Sequence, residues 1–353
     1  MTENSEPVSY SLIEWFFKQR PGLQDKVDAI AREIAGPDTT VEPVEHQGSL
    51  SRTFTLTNKD NNNQNKSILS FRLVGGKIDD DVVTISSCVH GDLVPKTEYL
   101  EVVGEGDDAL YVYKMECLPG TPWSEIFPSD EDRTAEEQRK CEILYRELAG
   151  YFARIWSQPI SNASGQEADC LLASDDYTSD RARIEKRIAT MKESGKYPYL
   201  GSFFKEVEAA IPIWFGKDWP KVLAHGDLSP SNLLIDEATS AISGIIDWSL
   251  ASIRPFGMDL KALLVVQIQQ ENDDNVTLYE DSDQLREIFW EEFWKRTEVE
   301  EGKRGEIRRL AELAGKMTFI TGMVFLRDFG KLNDTLHKYN DGLIKAYFGD
   351  GKN

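Results

Sequence analysis

The sequence predicts an α+β protein of two unequal lobes, an antiparallel sheet followed by a mainly helical region. Three observations carry this expectation. The chain has 353 residues, more than one core of about 250–300 residues usually serves. From Val41 to Cys117 the apolar residues fall in short β-branched and aromatic runs separated by turn residues. Beyond Leu118 they recur mostly at three- and four-residue steps, the helical period. The expected organisation is N-terminal helices over 1–40, a sheet lobe over 41–117 and a helical lobe over 118–353.

The elements follow in order. Leu12, Trp15 and Phe16, then Leu23, Val27, Ile30 and Ile34, predict two short amphipathic helices with Pro37 as a stop. "VEPVEH", "RTFTLT" and "SILSFRL" predict three antiparallel strands, joined by a "GS" break and the polar tip "NKDNNNQNK". Asp79, Asp80 and Asp81 suit the positive end of a helix that would bury Val82, Ile85 and Val89. "KTEYLEVVG" and "ALYVYKMEC" flank "EGDD" and predict two further strands, with "LPGTPW" as the connection between lobes. In the second lobe "EILYRELAGYFARIW", "LREIFWEEFW" and the series Ile307, Leu310, Ala314, Met317, Thr321 predict helices. Two apolar runs around "EATS" in "LLIDEATSAISGIIDW" predict a hairpin among them.

A formal charge of −21 argues against nucleic acid or an anionic membrane as the main partner, since like charges repel within a Debye length. A cationic small molecule would instead be attracted. Cys88, Cys117, Cys141 and Cys170 show no C-x-x-C pair, which removes zinc-ribbon and thioredoxin-like readings. The polar start "MTENSEPVSY" and the lack of an apolar run near the ~20 residues of a bilayer span predict a cytoplasmic protein with no membrane partner.

The tetrapeptide HGDL occurs twice, at His90–Leu93 and at His225–Leu228. The second copy lies in "LAHGDLSPSN", directly before the expected hairpin. A strand rises about 3.3 Å per residue, so hairpin arms of similar length return Asp247 close to Asn232. Asp227 precedes Asn232 by five residues in the same loop. Two carboxylates and an amide oxygen converging without a histidine cluster suit Mg²⁺, which takes hard oxygen ligands and keeps substrate phosphates. After the first copy Thr97 stands where the second has Asn232, and no "ID" pair returns. It is expected to be only a helix-to-strand turn.

The stretch "HGDLSPSN…GIIDW" resembles the aminoglycoside phosphotransferase family, the small-molecule relatives of protein kinases. The kinase catalytic loop has the form H-x-D-x4-N followed by a metal-binding Asp. "QGSLSRTFTL", "ILSFRL", "LVPKTEYL", "VYKMECLPG" and "RPFGMDL" are similar to stretches of its filamentous-fungal members.

The resemblance implies a two-lobed protein-kinase-like fold and an ATP- and Mg²⁺-dependent transfer to the hydroxyl of a small molecule. It implies that Asp227 accepts the proton of, or orients, the acceptor hydroxyl, that Asn232 and Asp247 hold Mg²⁺, and that His225 braces the catalytic loop. In the other lobe Gly48 and Ser49 would lie over the phosphates, Arg72 would clamp them, and the backbone of Glu116, Cys117 and Leu118 would meet adenine. The chain departs from the kinase pattern in three places: one glycine in the phosphate turn, arginine in place of lysine, and no glutamate along the next helix to pair with it. These departures leave a silent nucleotide-binding scaffold as an alternative. A protein-hydroxyl kinase is disfavoured, because no A-P-E-ended activation segment follows Asp247. The runs "QENDDN" and "YEDSD" are expected to be solvated acidic faces, with contact to a cationic acceptor as the other reading.

Overall fold

The computed structural model describes residues 11–58, 66–127, 132–160, 175–272, 275–325 and 337–349. The chain divides into two compact units, Met1–Val83 with Val94–Leu118, and Thr84–Leu93 with Pro119–Asn353.

In the first unit, helices α1 (Leu12–Lys18) and α2 (Leu23–Ala35) precede strands β1 (Thr39–Pro43), β2 (Ser51–Asn58) and β3 (Lys66–Arg72). Helix α3 (Asp80–His90) follows, its residues from Thr84 onward belonging to the second unit, then β4 (Thr97–Val103) and β5 (Leu110–Glu116). The strands form one antiparallel sheet, as the short β-branched and aromatic runs imply, in the order β1-β2-β3-β5-β4 that the sequence did not indicate. Helix α1 starts on a capping box in which Ser11 and Glu14 each bond the other's backbone amide. Its Ile13, Phe16 and Phe17 join Val27 and Ala31 of α2 over Phe54, Leu56, Leu69, Phe71, Leu110 and Val112 of the sheet. Trp15, expected in that core, is 53% exposed, because the packed stripe runs through Ile13 and Phe17. The stripe of α3 also differs from expectation. Val82, Ser86 and His90, spaced by four, are the buried residues, whereas Ile85 and Val89 are half-buried. The polar tip of the β2–β3 connection lies outside the described residues.

In the second unit, β6 (Thr121–Pro122) and α4 (Trp123–Ile126) lead to the long α5 (Ala135–Ser157), again opened by a capping box, Thr134 with Glu137. Helices α6 (Asp175–Ser194) and α7 (Gly201–Trp214) then precede β7 (Lys221–Ala224). Periodicity alone did not single out these two. Helix α6 is charge-rich, with Ile184, Ile188 and Met191 as its buried apolar stripe, and α7 carries Pro212 within it. The expected hairpin is β8 (Leu233–Ile235) and β9 (Ile242–Ile245), with Leu233 opposite Ile245 and β6 paired along β8. Strand β10 (Ser252–Pro255) returns antiparallel to β7. Helix α8 (Lys261–Val265), the pair β11 (Ile268–Asn272) and β12 (Asn275–Leu278), and helices α9 (Ser282–Lys295), α10 (Glu301–Val324) and α11 (His337–Phe348) complete the unit. Its core centres on rings of α5 and α9, with Phe152 edge-on to Phe289 and Phe256, Phe289 stacked on Phe293, and Phe293 tilted against Phe256.

Candidate active site

The second HGDL follows β7, where the chain turns on Gly226. This residue takes φ +80°, and a Cβ there would stand 2.2 Å from the Leu250 carbonyl oxygen, so only glycine fits. The next segment, Pro230–Asn232, is a short 3-10 turn closed by Asn232 N–H donating to Ser229 O at 2.9 Å. The Asn232 amide Nδ2 donates to the Asp227 carbonyl at 2.8 Å, which fixes the amide plane and leaves Oδ1 as its acceptor atom. Across the hairpin Ile246 N–H donates to Asn232 O at 3.0 Å. Asp247 therefore returns beside Asn232, as the arm lengths require. Asp227, Asn232 and Asp247 are all half-buried.

Asp247 adopts left-handed backbone, φ 64° and ψ 62°, one of two non-glycine residues at positive φ among the described residues. Asp tolerates that region better than most side chains. Its Oδ1 accepts from Ser249 Oγ at 2.8 Å. A carboxylate and an amide oxygen so placed are hard donors of the kind Mg²⁺ takes.

His225 is fully buried, and both ring nitrogens meet backbone. Nε2 lies 2.9 Å from Ile246 O, and Nδ1 accepts from Asp227 N–H at 3.3 Å. The set defines a neutral imidazole with its proton on Nε2, and burial holds its pKa below the usual value. The ring thus ties the loop to the hairpin, the bracing arrangement.

Two anchors were not singled out from sequence. The buried Asp259 carboxylate accepts the backbone amides of His225 and of Gly226, the latter at 3.2 Å. Lys261 Nζ donates to the Gly226 carbonyl at 2.7 Å. Both sit on the turn that opens α8, where Gly257 at φ +102° lets Ala311 of α10 approach within 2.8 Å of where a Cβ would be. The signal was present in "RPFGMDLK", a buried-type acid just after a glycine, but nothing local marks its partner in the loop.

The first HGDL is a helix-to-strand turn, as expected, with Gly91–Leu93 as a 3-10 turn and Asp92 exposed. Asp92→Asn is therefore expected to leave turnover within a few-fold of wild type, and a catalytic loss without a fall in Tm would contradict the turn assignment. His90 is a different matter. It is 7% exposed, stacks on Tyr151 at 4.3 Å and tilts against Trp248 at 5.8 Å, while Trp248 meets His225 edge-on at 4.7 Å. Trp248 is itself buried, with Nε1 donating to Ile245 O at 2.8 Å.

Burial, then the Arg154 cation and His225, push the His90 pKa from 6.5 down to about 3. Below the unfolded value the unfolded chain takes up a proton that the folded chain refuses. Stability is then lost as pH falls from 6.5 toward about 3, by roughly 1.4 kcal/mol per pH unit. Tm measured from about pH 7.5 to about pH 5 should drop more steeply in wild type than in His90→Phe. Equal slopes would contradict the account.

The first unit holds the remaining predicted residues. Arg72 ends β3 with its side chain buried, Nη1 donating to Gly76 O at 3.3 Å. The buried Tyr113 hydroxyl donates to Ile78 O at 3.1 Å; burial raises its pKa, and both the Arg72 cation and the Asp80 carboxylate act on it. Arg72 and Asp80, from the acidic start of α3, thus act in opposite directions on the same hydroxyl. Gly48 and Ser49 lie in the β1–β2 turn, which Gln47 closes by donating to Val44 O and Thr53 O and accepting from Thr53 N–H. A Cβ on Gly48 would come within 2.8 Å of Ser51 Oγ. Glu116 N–H donates to Lys96 O at 2.8 Å, so that amide belongs to the sheet. Burial raises the Cys117 thiol.

Of the acidic runs, Asp281 pairs with the buried Arg133 at 3.1 Å, and Asp283 pairs with Arg286 at 2.7 Å. Asp281 is thus held in a long-range, largely buried pair and not on the solvated face expected, while the exposed Asp283 pairs locally. The side chains of 270–275 lie outside the described residues.

A sheet unit followed by a helical unit that carries an H-x-D-x4-N loop and a returning Asp defines a protein-kinase-like fold. A family model described as the phosphotransferase enzyme family matches residues 89–292, and the chain belongs to that family. Its fold is similar to that of choline kinase from Cryptosporidium parvum Iowa II, at TM-score 0.54 and 13% identity over 92% of this chain and 94% of that one. It is also similar to that of a putative aminoglycoside phosphotransferase from Ralstonia eutropha, at TM-score 0.52 and 15% identity over 93% and 96%. No curated protein matches the sequence. Among the described residues no helix is long and apolar enough to cross a membrane.

Proposed function

We propose that the protein is an ATP- and Mg²⁺-dependent kinase that transfers the γ-phosphoryl group to a hydroxyl of a small, amine-bearing molecule. The observation that carries this reading is the loop and hairpin that bring Asp227, Asn232 and Asp247 together, with the amide of Asn232 held on the Asp227 carbonyl. Asn232 Oδ1 and the Asp247 carboxylate would hold Mg²⁺, which when bound neutralises charge on the nucleotide's phosphates.

The chain's own residues do the rest. Asp227 takes the proton of the acceptor hydroxyl as its oxygen forms the bond to the γ-phosphorus and the bond to the β-phosphate oxygen breaks, its electrons leaving with ADP. Within the first unit we assign Arg72 as the cation for the phosphates and Gly48 and Ser49 as the phosphate turn. The adenine edge meets the backbone of Cys117 and Leu118 and the carbonyl of Glu116, since the Glu116 amide is held by Lys96.

The chain's −21 charge favours a cationic acceptor. Choline kinase and an aminoglycoside phosphotransferase, the similar folds, are by name enzymes of amine-bearing molecules. The free thiols of Cys88, Cys117 and Cys141 suit a cytoplasmic setting. Mg-ATP offered with amino alcohols, aminoglycosides and neutral sugars tests the reading by the mass of each product. Phosphorylation of an amine-bearing acceptor supports it, and transfer only to neutral sugars would overturn the acceptor class.

A further inference from the structure

We propose that Lys261 is a catalytic cation of this site, its ammonium facing the phosphoryl group in transfer. The assignment rests on the kinase reading above and adds a group that the loop itself lacks. "HGDLSPSN" contains no lysine or arginine, yet the reaction spreads negative charge over the moving phosphoryl oxygens and needs fixed positive charge beside them.

Lys261 meets the requirement by geometry. Its Nζ stands 4.0 Å from Asp227 Oδ1 and donates to the Gly226 carbonyl at 2.7 Å. The Lys261 and Asp227 side chains are 22% and 26% exposed, so both are half-buried but open to a ligand. A cation this close to the carboxylate that receives the acceptor proton is within reach of the phosphorus that the same acceptor oxygen attacks.

The ammonium is also held in place before any ligand arrives. Two residues earlier, the Asp259 carboxylate binds the amides of His225 and Gly226, so one turn grips the loop by its N–H groups and by a carbonyl. That turn is fastened in its own right, with Thr318 Oγ1 of α10 donating to Met258 O. A pre-placed charge needs little reorganisation during reaction, the condition under which such groups accelerate most.

The alternative is that Lys261 only props the Gly226 carbonyl, and nucleotide discrimination separates the two. Calorimetry with Mg-ADP and with Mg-AMP-PNP, together with the rate of intrinsic Mg-ATP hydrolysis, is applied to the full chain as wild type, Lys261→Met and Lys261→Arg. Lys261→Met should weaken Mg-AMP-PNP by about tenfold or more, as loss of a charged contact does, and leave Mg-ADP within about twofold. Its hydrolysis should fall roughly 10²-fold. Lys261→Arg, which keeps the charge, should recover most of both. Equal weakening of the two nucleotides with a lowered Tm, no rescue by arginine, or no change in any reading overturns the assignment. If wild type binds both nucleotides and Lys261→Met behaves like it, the Lys261 assignment alone fails. If wild type binds neither nucleotide, the kinase reading fails and takes this assignment with it.

Discussion

Asp227→Asn lowers phosphoryl transfer to the acceptor by about 10²–10⁴-fold, the range a positioned base contributes. The substitution keeps the size of the side chain and removes its ability to take a proton. The loop should survive it, because the loop's anchors are elsewhere. His225 bridges to Ile246 O, Asn232 bonds the Asp227 carbonyl and not its carboxylate, and Asp259 holds the amides of His225 and Gly226. Mg-ATP affinity should consequently stay within about threefold, since the partner of the base is the acceptor hydroxyl. A variant that transfers as fast as wild type removes Asp227 from the chemistry. One that fails to bind nucleotide shows a different role.

Asp247→Asn should weaken Mg-ATP by at least about tenfold, as loss of a charged metal-site group does, while ATP in EDTA binds the variant and wild type alike. Asparagine is the informative replacement. At φ 64° an alanine would add backbone strain, whereas Asn adopts the left-handed region readily and its Oδ1 can still accept from Ser249 Oγ. The variant therefore isolates the charge. Equal Mg-ATP affinity in two folded proteins would remove the metal assignment from Asp247.

The geometry of the loop and hairpin was legible because it depends on local arithmetic. Two apolar runs around "EATS" can pair only by folding back, and that brings the residue after β9 to the residue before β8. The strands of the five-stranded sheet were legible for the same reason, each being a short β-branched and aromatic run between turn residues. What stayed hidden depends on contacts between distant segments. Asp259 is 34 residues from the amide of His225 that it accepts, and no local pattern marks such a pair. His90 read as part of a turn, and only the fold shows it stacked on Tyr151 and tilted against Trp248. A carboxylate partner for Arg72 was sought along α3, whereas the acidic residue that acts on the same Tyr113 hydroxyl as Arg72 is Asp80, at the helix start. Trp15 was misplaced because three adjacent large apolar residues, Trp15, Phe16 and Phe17, cannot all face one side of a helix.

The site at Asp227, Asn232 and Asp247 is tested most directly by following the γ-phosphoryl group itself. Wild type and Asp227→Asn are incubated side by side with Mg-ATP carrying ¹⁸O in the γ-phosphoryl group and a small-molecule metabolite extract, and labelled phosphate esters are sought by mass spectrometry. The structure predicts at least one labelled ester with wild type and its near-absence with Asp227→Asn at equal time. No labelled ester from a wild type that binds Mg-ATP, or the same ester formed equally fast by both proteins, would contradict it.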